Sequence, residues 1–166
     1  LIIRMLWGNR EYKNENIIFA TQDLIGNINY KIVEAGYKIE LLKSNDFEEL
    51  NKLVKKFEID MIVIDSYDID YNFEKKLKED NSSLKFFVLD DTYEKHFCDI
   101  LLNHNISANE KRYENLVPND CELRCGSKYT LLRDEFLEVK KAKKRVNKKN
   151  KTIFLGLGGA DHKNLN

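Results

Sequence analysis

Phe86, Phe87, Val88 and Leu89 form one continuous apolar run, with Leu84 just ahead of it across Lys85, that stops abruptly at Asp90-Asp91. Half-exposed strands alternate apolar and polar residues, so an unbroken run of this length predicts a strand covered on both faces, as in a parallel sheet. A second short run, Cys98 to Asn103, follows after a tight connection and predicts the next parallel strand. In open α/β sheets ligands bind beyond the carboxyl ends of the strands, so Asp90 and Asp91 are either site residues or caps of the loop that follows, with capping the favoured reading.

The same grammar extends in both directions. Strands are predicted at 16–21, 37–42, 59–65, 84–90, 99–102 and 152–157, all in one parallel sheet except that the last can begin a second domain. A further short strand fits Leu123 to Cys125. Helical spacing appears over 1–12, through Ile2, Ile3, Leu6 and Trp7, and over 27–35, where Gly36 supplies the stop. It returns after an Asn45-Asp46 cap, with Phe47, Leu50, Leu53, Val54 and Phe57 on one face, and again over 72–79 and 131–144. His104 to Asp120 is polar and holds Pro118, which predicts a long connection with at most a short helical turn. Alternating strands and helices make the expected fold α/β: a Rossmann-like parallel sheet with helices on both faces.

Length and charge narrow the function. A chain of 166 residues suits one well-packed domain, and a start without methionine inside a helical pattern predicts that the natural N-terminus lies upstream. Lysine plus arginine and aspartate plus glutamate each number 28, so no overall field favours nucleic acid or an anionic membrane. The basic run from Lys140 to Lys151 lacks interleaved aromatics and is expected to be a solvated helix end and linker. No apolar run nears the roughly 20 residues of a membrane span, and no signal-peptide pattern opens the chain. A cytoplasmic domain is expected. Cys98, Cys121 and Cys125 are odd in number and lack a second ligand pair, which predicts free thiols rather than metal or disulfide.

Three places offer chemistry. Ser66-Tyr67-Asp68 and Asp90-Asp91 both follow buried strands at one sheet edge, where they can line a single crevice. Gly158-Gly159-Ala160-Asp161 follows the last strand, and such a turn lets a backbone approach phosphate or open a helix. His96, His104 and His162 lack metal-ligand spacing, and each is expected to be a surface or loop histidine. Neither G-x-S-x-G nor a Walker A sequence occurs. On residue chemistry alone this is a small-molecule-binding α/β domain.

Longer segments carry a resemblance. IDSYD at Ile64 to Asp68, LDDTYEKHFCDILLN at Leu89 to Asn103, YENLVP at Tyr113 to Pro118, CELRCGSKYTLLRDEF at Cys121 to Phe136 and GLGGADHKNL at Gly156 to Leu165 resemble, in order and spacing, the UDP-sugar hydrolases of the pseudaminic acid pathway. The resemblance covers Asp60 to Leu165 well and the earlier residues more loosely. It implies a glycosyltransferase-B-like architecture, with 1–145 a Rossmann-like N-terminal domain lacking its first strand. Residues 146–151 would be a basic linker, and 152–166 the first strand and glycine turn of a C-terminal nucleotide-binding domain. It also implies inverting hydrolysis of a UDP-diacetamido-trideoxy-altrose without metal or other cofactor, with a UDP-sugar as the small-molecule partner.

The residue roles it implies are specific. Arg4 and Tyr67 would border the sugar, and Gly158, Gly159 and Asp161 would serve the nucleotide. Arg4 matches the arginine of the family's Gly-x-Gly-His-x-x-Arg loop, Leu1 stands at the position of its basic histidine, and Gly8-Asn9 replaces a Leu-Ala pair. A leucine cannot accept a proton, so the chain by itself is expected not to hydrolyse the sugar nucleotide. A non-catalytic sugar-nucleotide-binding domain and a glycosyltransferase of the same fold are the alternatives.

Overall fold

The computed structural model describes residues 2–3 and 17–142. The chain divides into two compact units, 1–131 and 132–166. The first unit is built on a sheet of seven strands: β1 (Ile2–Ile3), β2 (Ile18–Thr21), β3 (Lys38–Leu41), β4 (Met61–Ile64), β5 (Lys85–Leu89), β6 (Ile100–Asn103) and β7 (Glu122–Cys125). Among the described residues its helices are α1 (Asn29–Glu34), α2 (Phe47–Lys56) and α3 (Tyr71–Asp80), with 3-10 turns at Glu110–Tyr113 and Ser127–Tyr129. In the second unit the described element is helix α4, Asp134–Ala142.

The strand order is β3-β2-β1-β4-β5-β6-β7, and β2 pairs with β3, and β4 through β7 pair in sequence, all in parallel. This is the α/β parallel sheet expected from the runs, and five of the six predicted strands, along with the short one ending at Cys125, lie within two residues of their expected places. The sixth, at 152–157, lies outside the described residues.

One expectation fails at the start of the chain. Ile2 and Ile3, assigned to a helix by their spacing with Leu6 and Trp7, instead form a two-residue strand antiparallel to both β2 and β4. The reason is backbone accounting: β2 and β4 face one another across a one-strand gap, and their inward N–H and C=O groups need partners. Isoleucine, being β-branched, favours the extended backbone that this pairing requires. Helical periodicity in a short apolar segment cannot register a demand set by strands far along the chain.

The core follows from the continuous runs. Phe86, Val88, Ile62, Ile64 and Leu101 are buried on one face with Leu50, Val54 and Leu77 from α2 and α3. Val63, Phe87 and Leu102 are buried on the other, against Tyr129 and Leu131. Each such side chain contributes about 1.5–3 kcal/mol relative to leaving it in water. Two helix ends match their chemistry closely. The Asp70 carboxylate accepts the Phe73 N–H at 2.9 Å, capping α3, and after α1 Gly36 takes φ +85° while the Gly36 and Tyr37 N–H groups bond Val33 and Ile32 carbonyls. That is a Schellman ending, for which glycine carries no Cβ penalty. Asp46 does stand at the N-cap of α2, but its side chain accepts the Ser44 hydroxyl rather than a helix N–H. Glu49 instead ties the first turn to the incoming chain, its carboxylate accepting the Lys43 and Ser44 N–H groups, each at 3.0 Å.

Candidate functional site

Because β4, β5 and β6 run parallel, their carboxyl ends meet at one edge. Asp65, Ser66 and Tyr67 after β4, Leu89, Asp90 and Asp91 at the end of β5, and Leu102, Asn103 and His104 at the end of β6 line a single cleft of about 120 Å³. It shares Ser66, Tyr67, Leu89 and Asp90 with a wider recess of about 380 Å³ that extends to Tyr71, Lys95 and His96. A separate hollow of about 400 Å³ lies beyond the end of β2, between Thr21, Asn29, Asn45 and Asp68. The space under α2, lined only by apolar side chains such as Leu50, Val54 and Ile62, is a packing gap with no group to orient a ligand.

The two acids at the end of β5 divide the roles that the sequence left open. Asp90 is the loop cap: its carboxylate accepts the Thr92 N–H at 2.9 Å, the Thr92 hydroxyl at 2.8 Å, the Tyr93 N–H at 2.9 Å and the Tyr113 hydroxyl at 2.6 Å. Burial pushes this carboxyl up, but the Tyr113 and Thr92 donors and the nearby His96 more than reverse that and hold it below its ordinary value. The bonds keep Tyr93 at φ +65°, a left-handed conformation costly for a tyrosine. Its ring in turn lies 4.8 Å from that of Tyr113, with the Arg112 guanidinium 3.4 Å away on the ring. Asp91 is the rim residue, and accepts the Tyr67 hydroxyl at 3.0 Å.

Tyr67 is 81% exposed, at the mouth of the cleft and not in the core. Its bond to Asp91, with the charge of that carboxylate, raises the phenol above its usual value, so the hydroxyl remains protonated and fixed in direction. Asp68, next along, accepts the Asn45 amide at 3.0 Å. Leu1, Arg4, Gly158, Gly159, Asp161 and His162 lie outside the described residues.

Sequence reasoning missed the buried polar layer beneath this rim. His96, expected at the surface or in a loop, is only 7% exposed; its Nδ1 lies 2.8 Å from Glu74 Oε1 and its Nε2 4.0 Å from Asp90 Oδ1. Glu74 has no exposed surface, and its other oxygen accepts the Phe97 N–H at 2.6 Å. His96 does sit in a loop, the 90–99 connection; its burial has a simple cause, since a carboxylate inside the core needs a cationic or donor partner and this connection supplies one. Alongside, buried Asn103 donates its amide to the Tyr113 hydroxyl at 2.9 Å, and that hydroxyl donates to Asp90. One signal did exist: Glu74 falls on the inward stripe of α3 between Phe73 and Leu77, where a charge is out of place.

Burial opposes charge on His96, but the Glu74 bond and the charges of Glu74, Asp90 and Glu94 outweigh it and raise the imidazole above its model-peptide value of 6.5. A raised folded value stabilises the protein fully below 6.5, and this contribution is lost as pH rises through the folded value. Asp90, held below 3.8, contributes above that value and loses its contribution as pH falls through the folded one. The urea midpoint is therefore expected to fall as pH is raised from 6.5 through the folded value, and His96→Gln should remove most of that fall. A wild-type midpoint that is level or rises over this range would contradict the charged imidazole.

No family model matches the chain. It is 39% identical over 150 residues to a Campylobacter jejuni protein named UDP-2,4-diacetamido-2,4,6-trideoxy-beta-L-altropyranose hydrolase, with 90% of this chain and 52% of that protein aligned. It is 31% identical over 155 residues to an uncharacterized protein of Methanocaldococcus jannaschii, across 92% of this chain and 31% of that one. The chain thus spans about half the length, or less, of the curated relatives it matches. The resemblance drawn from the five motifs is real homology to a UDP-sugar hydrolase.

Proposed function

We propose that this chain supplies the sugar-facing wall of a UDP-sugar hydrolase, and that the cleft at the ends of β4, β5 and β6 takes the diacetamido-trideoxy sugar. The observation that carries this reading is the chemistry of the rim. Asp65, Asp90 and Asp91 crowd one edge with Tyr67, Ser66 and Asn103. A diphosphate would be repelled by those carboxylates, whereas the N–H and O–H groups of a diacetamido sugar are donors that Asp65 and Asp91 can accept, Asp90 being taken up by its own loop. The half of the substrate suited to this wall is therefore the sugar.

In the reaction so assigned, water attacks the anomeric carbon on the face opposite UDP, the bond from that carbon to the diphosphate oxygen breaks, and UDP departs. Tyr67 positions the sugar, its hydroxyl aimed by Asp91, while Asp90 keeps the supporting loop in register. Arg4 would border the sugar, and Gly158, Gly159 and Asp161 would meet the nucleotide, on the strength of their motif positions. Leu1, at the position of the family's base, favours a second reading in which this chain binds the sugar nucleotide without turning it over.

Titrating the labelled chain by NMR with the UDP-diacetamido sugar, and separately with UDP, tests the assignment. The sugar nucleotide is expected to shift Tyr67, Asp91, Asn103 and His104 amides, and UDP alone to leave them in place. Tyr67→Phe should weaken the sugar nucleotide roughly two- to tenfold with the thermal midpoint little changed, because one hydrogen bond is lost and the ring stays. Equal shifts with UDP, or none with either, would overturn the sugar-facing wall; release of UDP during the titration would overturn the second reading.

A further inference from the structure

At the end of the sheet opposite the cleft, Cys98 precedes β6 and Cys121 precedes β7, and their sulfurs are 3.6 Å apart. The backbones there are already tied, since the Glu122 N–H bonds the Asp99 carbonyl at 2.9 Å. Adjacent parallel strands are about 4.8 Å apart, which suits the Cα separations that disulfides span. Closing the sulfurs to a bond of roughly 2.05 Å is a matter of side-chain rotation. Cys98 is buried and Cys121 is partly exposed, so one sulfur can meet a small oxidant and the other waits behind it. Cys125, at the far end of β7, is also buried.

We propose that Cys98 and Cys121 are an oxidation-sensitive thiol pair, in which a peroxide converts Cys121 to a sulfenic acid and Cys98 then closes a reversible disulfide between the starts of β6 and β7. The steps balance: the Cys121 thiolate attacks H₂O₂, forming S–O and breaking O–O with release of hydroxide, which takes up a proton to become water. The Cys98 sulfur then attacks the sulfenic sulfur, forming S–S and expelling hydroxide, which leaves as water with the Cys98 proton. Two electrons pass from the sulfurs to the peroxide.

The surroundings suit these roles. The bond to Cys121, together with burial, keeps Cys98 protonated. The same bond lowers Cys121, against burial and the charges of Asp120, Asp99 and Glu122. Those three carboxylates disfavour an anionic oxidant such as a charged low-molecular-weight disulfide, and leave a neutral peroxide as the fitting reagent.

The test treats the purified chain with a few equivalents of H₂O₂, blocks residual thiols by alkylation and maps peptides without reduction. The expected result is loss of two hydrogen atoms from the intact mass, a Cys98–Cys121 crosslinked peptide and an alkylated Cys125. The thermal midpoint should rise by roughly 5–10 °C, because the bridge closes a loop through β6 and the following connection. Dithiothreitol should reverse both changes. Cys121→Ser should abolish the crosslink and Cys125→Ser leave it intact. Since Cys121 is only partly buried, its serine variant is the one expected to keep the fold, with circular dichroism as the check. A bridge involving Cys125, a crosslink between chains, stable over-oxidation of Cys121 without a bridge, or unchanged thiols would overturn the proposal.

Discussion

Glu74→Ala is expected to destabilise the protein by about 3–5 kcal/mol, the cost of removing one partner from a buried charged pair. The carboxylate is fully buried and holds both the His96 ring, at 2.8 Å, and the Phe97 N–H, at 2.6 Å. Without it the imidazole loses the group that keeps it charged, an N–H is left without its acceptor, and a cavity opens beside Leu77 in the core. Against a typical domain stability of 5–15 kcal/mol this is a large fraction. Glu74→Gln separates charge from shape, because an amide can still accept the Phe97 N–H while no longer stabilising an imidazolium. It should cost less than alanine and lower the NMR titration of His96. Urea unfolding of both variants measures the effect; an alanine variant within about 1 kcal/mol of wild type would show that the pair is dispensable.

The second large effect is expected at Asp90. Asp90→Ala removes the acceptor of four hydrogen bonds, including that of the buried Tyr113 hydroxyl, at a cost of about 3–4 kcal/mol if two of the donors stay dry and the others recover water. It should also disturb the cleft, because the freed Tyr93 can leave its left-handed conformation and carry Asp91 with it. Loss of sugar-nucleotide shifts at Tyr67 in a variant that remains folded would follow. Asp90→Asn keeps one acceptor oxygen and should fall between alanine and wild type. If alanine were tolerated with the Tyr113 and Thr92 resonances unmoved, the capping role would be wrong.

These two residues also mark how far each level of information reaches. Asp90 was legible as a residue of consequence because it ends a continuous apolar run, and a buried strand must deliver its next polar residue to the sheet edge whatever the rest of the chain does. The same local logic located β2 through β6, the stop at Gly36 and the side of the sheet where Tyr67 would emerge. Each of these depends on period, propensity and turn chemistry within a few residues, which a sequence displays directly.

What the sequence by itself determined was therefore the parallel α/β sheet, the edge that carries the cleft and, through the motifs from Ile64 to Phe136, the kinship with UDP-sugar hydrolases. Only the tertiary structure decided which of Asp90 and Asp91 caps and which faces outward, that Ile2 and Ile3 pair as a strand, that Glu74 and His96 meet in the core, and that Cys98 touches Cys121. The physical reason is common to all four. Each depends on a partner from another element, 19 to 24 positions away where the partner is a side chain, and desolvation sets its energy. Desolvation belongs to a place in the fold rather than to a residue type.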